Sequence, residues 1–221
     1  MKDIPHIRGK YYIAGLIAEG EHETQDFKYA ISDARKIARS ISAFANNKGG
    51  RLLIGVKDSG AVAGVRNEED IYVVEAAAQL YCRPAQEARF TAFTTEGGAV
   101  VIRAEIAPSP QRPVQAQEPD GSWRAYFRVK DENIMAHPLM VRAWRKATDN
   151  SGLVVSLSEA EQAVLRHLRS TSSCTVEQLM VAAGLSRRTA EDIIVRLATL
   201  DVVQFCLLYT SPSPRDGATS R

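Results

Sequence analysis

The stretch that decides the fold is ISAFANNKGGRLLIGVKDSG, residues 41–60, because it joins a helix end to a buried strand and a turn. The Asn and Gly residues at its centre tolerate the left-handed backbone conformation that closes helices. Leu52–Val56 follows as a continuous apolar run, which is typical of a central, fully buried strand. Asp58-Ser59-Gly60 has the composition of a tight turn. The stretch therefore predicts a domain that contains both helices and strands.

Upstream, Ser32-Asp33 supplies the N-cap of a helix that extends to about Asn46, with apolar residues at helical spacing. The other predicted elements are helices over residues 10–19, 68–82 and 138–146 and strands over residues 23–29, 61–65, 88–94, 99–106, 114–117 and 123–129. We therefore expect residues 1–147 to form one α+β domain, in which helices flank a mixed sheet.

The pattern changes after a polar linker at residues 148–156 and becomes purely helical. Capping boxes at Ser158-x-x-Glu161 and Thr175-x-x-Gln178 open helices over residues 159–169 and 176–183. Gly184 makes a turn, and Ser186 caps a third helix over residues 187–200. Three short helices with this turn predict a small, mainly helical winged helix-turn-helix at residues 157–205.

The last stretch, residues 206–221, begins CLLYTSPSPRD and follows the third helix without any cap or turn. It resembles one reading frame of a transposase adapter used in DNA sequencing libraries, and the alternative is a disordered Ser/Pro-rich terminus. We treat it as an adapter artefact and exclude it from fold reasoning. The natural chain is then expected to continue past Phe205, which leaves the winged helix truncated.

The composition is that of an ordinary globular protein, with 45% hydrophobic and 24% charged residues and a net charge of +2. No run reaches the roughly 20 apolar residues that a membrane-spanning helix needs, and no signal peptide opens the chain. Three separated cysteines argue against a disulfide framework or a zinc site and favour a reducing cytoplasm. Because the net charge is small, any nucleic-acid binding must depend on local basic patches.

Two motifs carry a family resemblance: EHETQDFK at residues 21–28 and the stretch at residues 41–60. Together they resemble the Schlafen/AlbA-like DNA-binding domain over about residues 10–135. Asp26 stands where that family usually has Glu, and Asn47 where it usually has Thr. A winged helix often follows such a domain in bacterial relatives. The resemblance implies a nucleic-acid-binding protein, and in particular a DNA-binding transcriptional regulator.

Basic residues concentrate in the same region, where they favour contact with DNA or RNA phosphates. On the helix capped by Asp33, Arg35 and Arg39 lie four residues apart and share a face, with Lys36 beside them. Each phosphate contact adds about −0.9 to the salt dependence of duplex binding. The candidate phosphate-binding residues of this domain are Lys28, Arg35, Lys36, Arg39, Lys48 and Arg51. The alternative is a solvated helix face.

The third C-terminal helix offers a second candidate surface. Arg187, Arg188 and Thr189 lie in its first turn, the end from which a recognition helix contacts base edges and phosphates. The alternative is a protein-interaction or dimerisation module, in which these residues are merely solvated. The candidate partners are thus DNA or RNA and, for dimerisation, a second copy of the chain.

The resemblance also implies an enzyme alternative, because some Schlafen relatives are metal-dependent endoribonucleases with three carboxylates. By motif position these carboxylates are Glu21, Asp26 and Asp58, and they would bind Mg²⁺ or Mn²⁺. Lys28 would offset charge on the scissile phosphate. No cofactor is needed otherwise. The alternatives to a catalytic role are that Asp58 is only a turn residue and that Glu21 is only a surface charge.

Two other patterns have ordinary structural explanations. Residues 46–50 lack the Lys-Ser/Thr ending and the strand-then-helix order of a P-loop, so a helix cap explains them better than ATP binding does. Residues 123–129 interleave aromatics with arginines, which suits base stacking but also suits an ordinary half-buried strand. A scaffold that binds only protein is the remaining alternative.

Overall fold

The structure is a computed structural model that describes residues 4–7, 10–149, 157–171 and 173–206. The chain divides into two compact units, Met1–Thr148 and Asp149–Arg221. The helices of the first unit are α1 (Lys10–Ala18), α2 (Ala34–Asn46), α3 (Glu69–Leu80) and α4 (Pro138–Asp149). Its strands are β1 (His6–Ile7), β2 (Gln25–Lys28), β3 (Gly50–Ile54), β4 (Cys82–Arg83), β5 (Ala88–Thr94), β6 (Val100–Ile106), β7 (Gln115–Gln117), β8 (Trp123–Val129) and β9 (Glu132–Met135).

Five strands form a mixed sheet in the order β1-β5-β6-β3-β2. β2 is parallel to β3 and β1 is parallel to β5, whereas β6 is antiparallel to both of its neighbours. The side chains of β3 alternate between two cores. Leu52 and Ile54 pack with α2 and α3, and Leu53 packs with α1 and with Phe27 of β2. The predicted α+β class and mixed sheet with flanking helices are therefore confirmed.

A second sheet, in the order β4-β7-β8-β9, is antiparallel throughout. Ala116 and Tyr126 of this sheet share one core with Ile41 of α2 and Leu52 of the first sheet, so α2 lies between the sheets. The sequence predicted the β7–β8 hairpin but missed β4 and β9, and it extended α3 to Cys82. Both missed strands are short, and β4 exists because it pairs with β7, which no local pattern reveals.

The two Asn residues of the central stretch tie α2 to the second sheet. The Asn46 side chain donates to the carbonyls of Val114 and Tyr126, each at 2.8 Å, and accepts from the Val114 N–H at 2.8 Å. The Asn47 side chain donates to the Arg128 carbonyl at 2.8 Å. Because buried backbone N–H and C=O groups need such partners, these Asn residues have a structural role that does not require a ligand.

Gly55 directly follows β3 and ends it two residues earlier than predicted. Its φ is +94°, and a Cβ there would lie 2.8 Å from the Gly64 carbonyl carbon, so only glycine fits this close approach. The partner strand predicted at residues 61–65 is wrong. That segment makes a single antiparallel bridge, between Val56 and Val62, because the backbone turns at both glycines. The segment is a loop folded against the end of β3.

The second unit contains three helices among its described residues: α5 (Glu159–Ser170), α6 (Val176–Ala183) and α7 (Arg187–Thr199). Both capping boxes and the Ser186 cap are present, so the predicted helices are confirmed to within one residue. Their core contains Val164, Leu179, Ile193 and Leu197. The predicted wing, residues 150–156 of the linker and residues 207–221 of the tail lie outside the described residues.

No helix among the described residues is long and apolar enough to cross a lipid bilayer. This agrees with the expectation from the sequence.

Candidate nucleic-acid interface

A cluster of charges surrounds Asp26, which is only 4% exposed on the edge strand β2. One carboxylate oxygen lies 2.7 Å from the Lys28 Nζ, and the other lies 3.1 Å from a guanidinium nitrogen of Arg128. Arg128 reaches across from β8 and is 2% exposed. Glu21 completes this Asp26 cluster of four residues. Sequence reasoning missed Arg128, because nothing near it in the chain indicates that it points inward.

Glu21 and Asp26 share a hydrogen bond, and their pKa values move in opposite directions. Burial and the neighbouring Asp26 carboxylate raise the pKa of Glu21. Burial would raise the pKa of Asp26 as well, but the hydrogen bond from Glu21 and the charges of Lys28 and Arg128 outweigh it and lower that pKa. As the pH rises, Asp26 is therefore the first of the two carboxyls to lose its proton and Glu21 the last.

The Asp26 cluster also satisfies the free edge of the first sheet. The outward N–H of Phe27 donates to Glu21 at 2.8 Å, and the Phe27 carbonyl accepts from Lys28 at 2.8 Å. The Gln25 carbonyl accepts from Arg128 at 3.2 Å. Side chains thus occupy the backbone groups that another strand would otherwise bind. Glu21, Lys28 and Arg128 thus have a stabilising role at this edge, and Asp26 holds the two cations in place.

Of the three carboxylates predicted to hold a metal, Glu21 and Asp26 adjoin, but Asp58 does not join them in a ligand set among the described residues. Asp58 lies on the exposed turn after β3, and no three His, Cys, Asp or Glu side chains among the described residues are placed to hold a metal ion. Asp26 already accepts from Lys28, Arg128 and, at 3.4 Å, Ser40. The residues present therefore do not fit Mg²⁺ or Mn²⁺, and we derive no metal-dependent step.

The predicted basic residues of α2 lie at its accessible N-terminal half, but they differ in their partners. Arg39 forms two hydrogen bonds with the carboxylate of Glu118. The Arg35 guanidinium lies 4.9 Å from the centre of the Tyr81 ring. Lys36 is exposed, with no ion pair among the described residues. These three basic residues of α2 therefore offer fewer free charges to a phosphate than the sequence indicates.

Lys48 and Arg51 line a groove of about 470 Å³ at the start of β3. Arg51 is paired with Glu19 at 2.5 Å, and Lys48 lies 4.0 Å from Glu23. Arg89, which sequence reasoning did not select, adds a third cation to the groove, but Glu87 and Glu105 also line it. Its charges are therefore almost balanced.

An exposed cluster at the opposite end of β3 has a different character. Tyr29 follows β2 and is 42% exposed. The Lys57 Nζ lies 5.4 Å from its ring centroid and the Arg66 Cζ lies 5.9 Å from it, while Arg66 donates to the Tyr29 hydroxyl at 2.9 Å. Neither cation forms an ion pair with any described residue. We name these three residues the Tyr29 cluster.

The central stretch builds the Tyr29 cluster. β2 and β3 are parallel, so the residues that follow their carboxyl ends lie at the same edge of the sheet. The loop that carries Lys57 and Arg66 is held by hydrogen bonds from the N–H groups of Ala63 and Gly64 to the Gly55 carbonyl, both at 2.9 Å. Sequence reasoning selected Asp58 from this loop and missed its cations. The sequence signal that could have indicated this cluster is a pair of cations, Lys57 and Arg66, on either side of an eight-residue loop, together with the tyrosine that follows β2.

The family comparison agrees with this architecture. The model of the Schlafen AlbA_2 family matches residues 21–136, which is more than half of the 221-residue chain. The chain belongs to the Schlafen AlbA_2 family. No curated protein matches it.

Among solved structures, the chain is similar to the crystal structure of the DIP2311 protein from Corynebacterium diphtheriae, with 20% identity and a TM-score of 0.42. The match covers 72% of this chain and 32% of that protein, so the chain spans about a third of its length.

Within the Schlafen AlbA_2 domain, the aromatic–arginine strand β8 is not a base-stacking surface at its centre. Tyr126 and Arg128 are buried against α2, and the Tyr126 hydroxyl donates to Glu118 at 2.6 Å. Trp123, at the start of the strand, has the Arg83 guanidinium 4.5 Å from its ring centre. The ordinary half-buried strand, which was the alternative interpretation, explains the alternation.

Outside the Schlafen AlbA_2 domain, the first turn of α7 is exposed. Arg187 pairs with Glu177 and, at 3.4 Å, with Glu191. Arg188 forms no ion pair with any described residue, and the Thr189 hydroxyl shares a hydrogen bond of 2.8 Å with Ser186. Of the three predicted contact residues, Arg188 thus offers the least neutralised charge.

Proposed function

We propose that this chain is a nucleic-acid-binding protein and that its first unit contacts nucleic acid through the Tyr29 cluster. The observation that carries the proposal is an exposed aromatic ring with two cations within 6 Å of its centroid, neither of which forms an ion pair with a described residue. Single-strand and general nucleic-acid binders combine these same elements, cations for phosphates and aromatic rings for bases. Membership of the Schlafen AlbA_2 family supports the same function.

Free cations matter more than the total charge. A Lys or Arg that already contacts a carboxylate must lose that contact before it can bind a phosphate, so it gains little. A free cation releases condensed counterions from the nucleic acid, at about 0.7 to 0.9 per phosphate contact. Lys57 and Arg66 meet this condition, whereas Lys28, Arg39 and Arg51 each have a carboxylate partner.

More specifically, we propose that the chain is a DNA-binding transcriptional regulator in which α7 serves as the recognition helix. Three capped helices with a left-handed Gly184 before α7 support a helix-turn-helix arrangement. The exposed Arg188 is the residue of α7 best placed to contact a phosphate or a guanine. We expect Arg188→Ala to weaken duplex binding more than Arg187→Ala does, because Glu177 and Glu191 already hold Arg187.

The test of the main proposal is fluorescence anisotropy with labelled oligonucleotides of about 16 nucleotides at low ionic strength. We expect the 221-residue chain to bind and the double variant Lys57→Ala/Arg66→Ala to bind about tenfold more weakly. The matched control is Arg51→Ala/Arg124→Ala, which removes the same charge from two residues paired with Glu19 and Asp120. It should bind like the parent chain.

Absence of binding by the parent chain under these conditions would refute the function itself. Equal losses in the two double variants would show that only overall charge matters and would refute the assignment to the Tyr29 cluster.

A further inference from the structure

We propose that the ligand of the Tyr29 cluster is single-stranded nucleic acid, with one base stacked on the Tyr29 ring. This inference rests on the proposed function and adds the class of ligand to it. In a duplex each base stacks on its neighbours, so a protein reaches only base edges and the backbone. An exposed aromatic face is useful to a nucleic-acid ligand only where a base is unstacked.

The ring is held in place by the two cations over it and remains partly accessible, with 42% of Tyr29 exposed. The hydrogen bond from Arg66 fixes the Tyr29 hydroxyl at 2.9 Å. The two cations lie 5.4 and 5.9 Å from the ring centroid, close enough to reach the phosphates on either side of a stacked base. Residues 58–65, the loop between the cations, have the sequence DSGAVAGV. Apart from Asp58, the side chains of this loop are small and uncharged.

Other aromatic rings near cations lack this combination. Trp123 and Tyr81 each have a guanidinium over the ring at a shorter distance, 4.5 and 4.9 Å from the centroid, which leaves less room for a base between the cation and the ring. Tyr12 contacts Arg103, but Glu105 neutralises that arginine at 2.8 Å. Tyr29 thus joins three properties: an accessible ring, a fixed hydroxyl and two cations without carboxylate partners.

The experiment compares a single strand of about 12 nucleotides with the blunt duplex of the same sequence, by anisotropy at one low ionic strength. We expect the single strand to bind about tenfold more tightly. Tyr29→Ala should weaken single-strand binding by about tenfold and leave duplex binding nearly unchanged. Tyr29→Phe retains the ring but loses the hydroxyl contact with Arg66, so it should retain most single-strand affinity. Tyr29→Leu is apolar without a π face and should behave like Tyr29→Ala.

Thermal unfolding of each variant shows whether the fold is intact, and because Tyr29 is exposed we expect unchanged midpoints. Equal or tighter binding of the duplex would overturn the inference, as would a Tyr29→Leu variant that binds like Tyr29→Phe. In either of these cases a loss in Lys57→Ala/Arg66→Ala would still support the proposed function, so the two failures are distinguishable. A parent chain that binds neither oligonucleotide would overturn both.

Discussion

The Asp26 cluster and the Tyr29 cluster are centred on residues close together in the chain, Asp26 on β2 and Tyr29 just after it. Their charges are nevertheless arranged in opposite ways. In the Asp26 cluster, two cations are placed around one carboxylate and almost no solvent reaches it. In the Tyr29 cluster, two cations lie beside an exposed ring with no carboxylate partner among the described residues. The first arrangement stabilises the fold, and the second leaves charge available for a ligand.

This difference shows why counting basic residues in sequence is a poor guide to a binding surface. The sequence does not distinguish Lys28 from Lys57, but the free energy that each can contribute to binding depends on the residues around it in the structure. The predictions below test whether the two clusters divide stability and binding in this way.

The largest effect is expected on the stability side, from Arg128→Ala. The substitution leaves Asp26 buried with one cation fewer and removes the guanidinium donor to the Gln25 and His22 carbonyls, which then keep only each other's backbone N–H groups. Removing one partner of a buried ion pair costs about 3–5 kcal/mol of unfolding free energy, to be measured by urea denaturation.

The matched control is Arg83→Ala, which removes an exposed arginine from the neighbouring sheet. Its cost should remain below about 1 kcal/mol. A similar loss in both variants would mean that the Asp26 cluster has no special role in stability.

A smaller effect is expected from Arg39→Ala, which separates stability from binding. Glu118 is nearly buried and would retain only the Tyr126 hydroxyl as a side-chain partner. We expect a loss of about 2 kcal/mol in unfolding free energy and no change in oligonucleotide affinity. A fall in affinity comparable with that of Lys57→Ala/Arg66→Ala would show that the basic residues of α2 contact the nucleic acid, and it would contradict the proposed difference between paired and free cations.

The smallest effect concerns the proton of Glu21, whose carboxyl is hydrogen-bonded to that of Asp26. The pKa of Glu21 is raised above its ordinary 4.5, so the folded state holds this proton more tightly and stability falls as pH rises from 4.5 through the folded pKa. The pKa of Asp26 is lowered below 3.8, so its contribution is present above pH 3.8 and is lost as pH falls through the folded pKa. Together they favour maximal stability in mildly acidic solution.

Glu21→Gln tests this account, because the amide can still donate to Asp26 and accept from the Phe27 N–H but cannot ionise. We expect the variant to be at least as stable as the parent chain at neutral pH and to lose the decline in stability above pH 4.5. Melting temperatures across the acid range measure this directly. An unchanged pH profile would show that the ionisation of Glu21 does not contribute to the pH dependence of stability.

Local patterns predicted much of the fold. The capped helix before Asn46, the hairpin around Gly97-Gly98 and the capped helices of the second unit follow from caps, periodicity and turn residues. The patterns failed where a tertiary contact decides the structure. Residues 61–65 have strand-like composition, but the contact between Gly55 and Gly64 makes them a loop.

The candidate site was less predictable, because ion pairing between distant residues is invisible in the sequence. Arg39 finds its carboxylate at Glu118, and Asp26 finds Arg128. Tyr29, Lys57 and Arg66 come together only because β2 and β3 are parallel and the following loop folds back. The motif at residues 41–60 identified the right region, but the structure was needed to show which of its charges are free.

The central claim is that free rather than paired cations contact the nucleic acid, and the salt dependence of single-strand binding tests it most directly. For the parent chain, Lys57→Ala/Arg66→Ala and Arg51→Ala/Arg124→Ala, the logarithm of the binding constant is measured against the logarithm of salt concentration. We predict that the first variant lowers the slope by about 1.4, or about 0.7 for each lost phosphate contact, and that the second leaves it unchanged. Equal slopes in all three proteins, or a larger change in the second variant, would contradict the account.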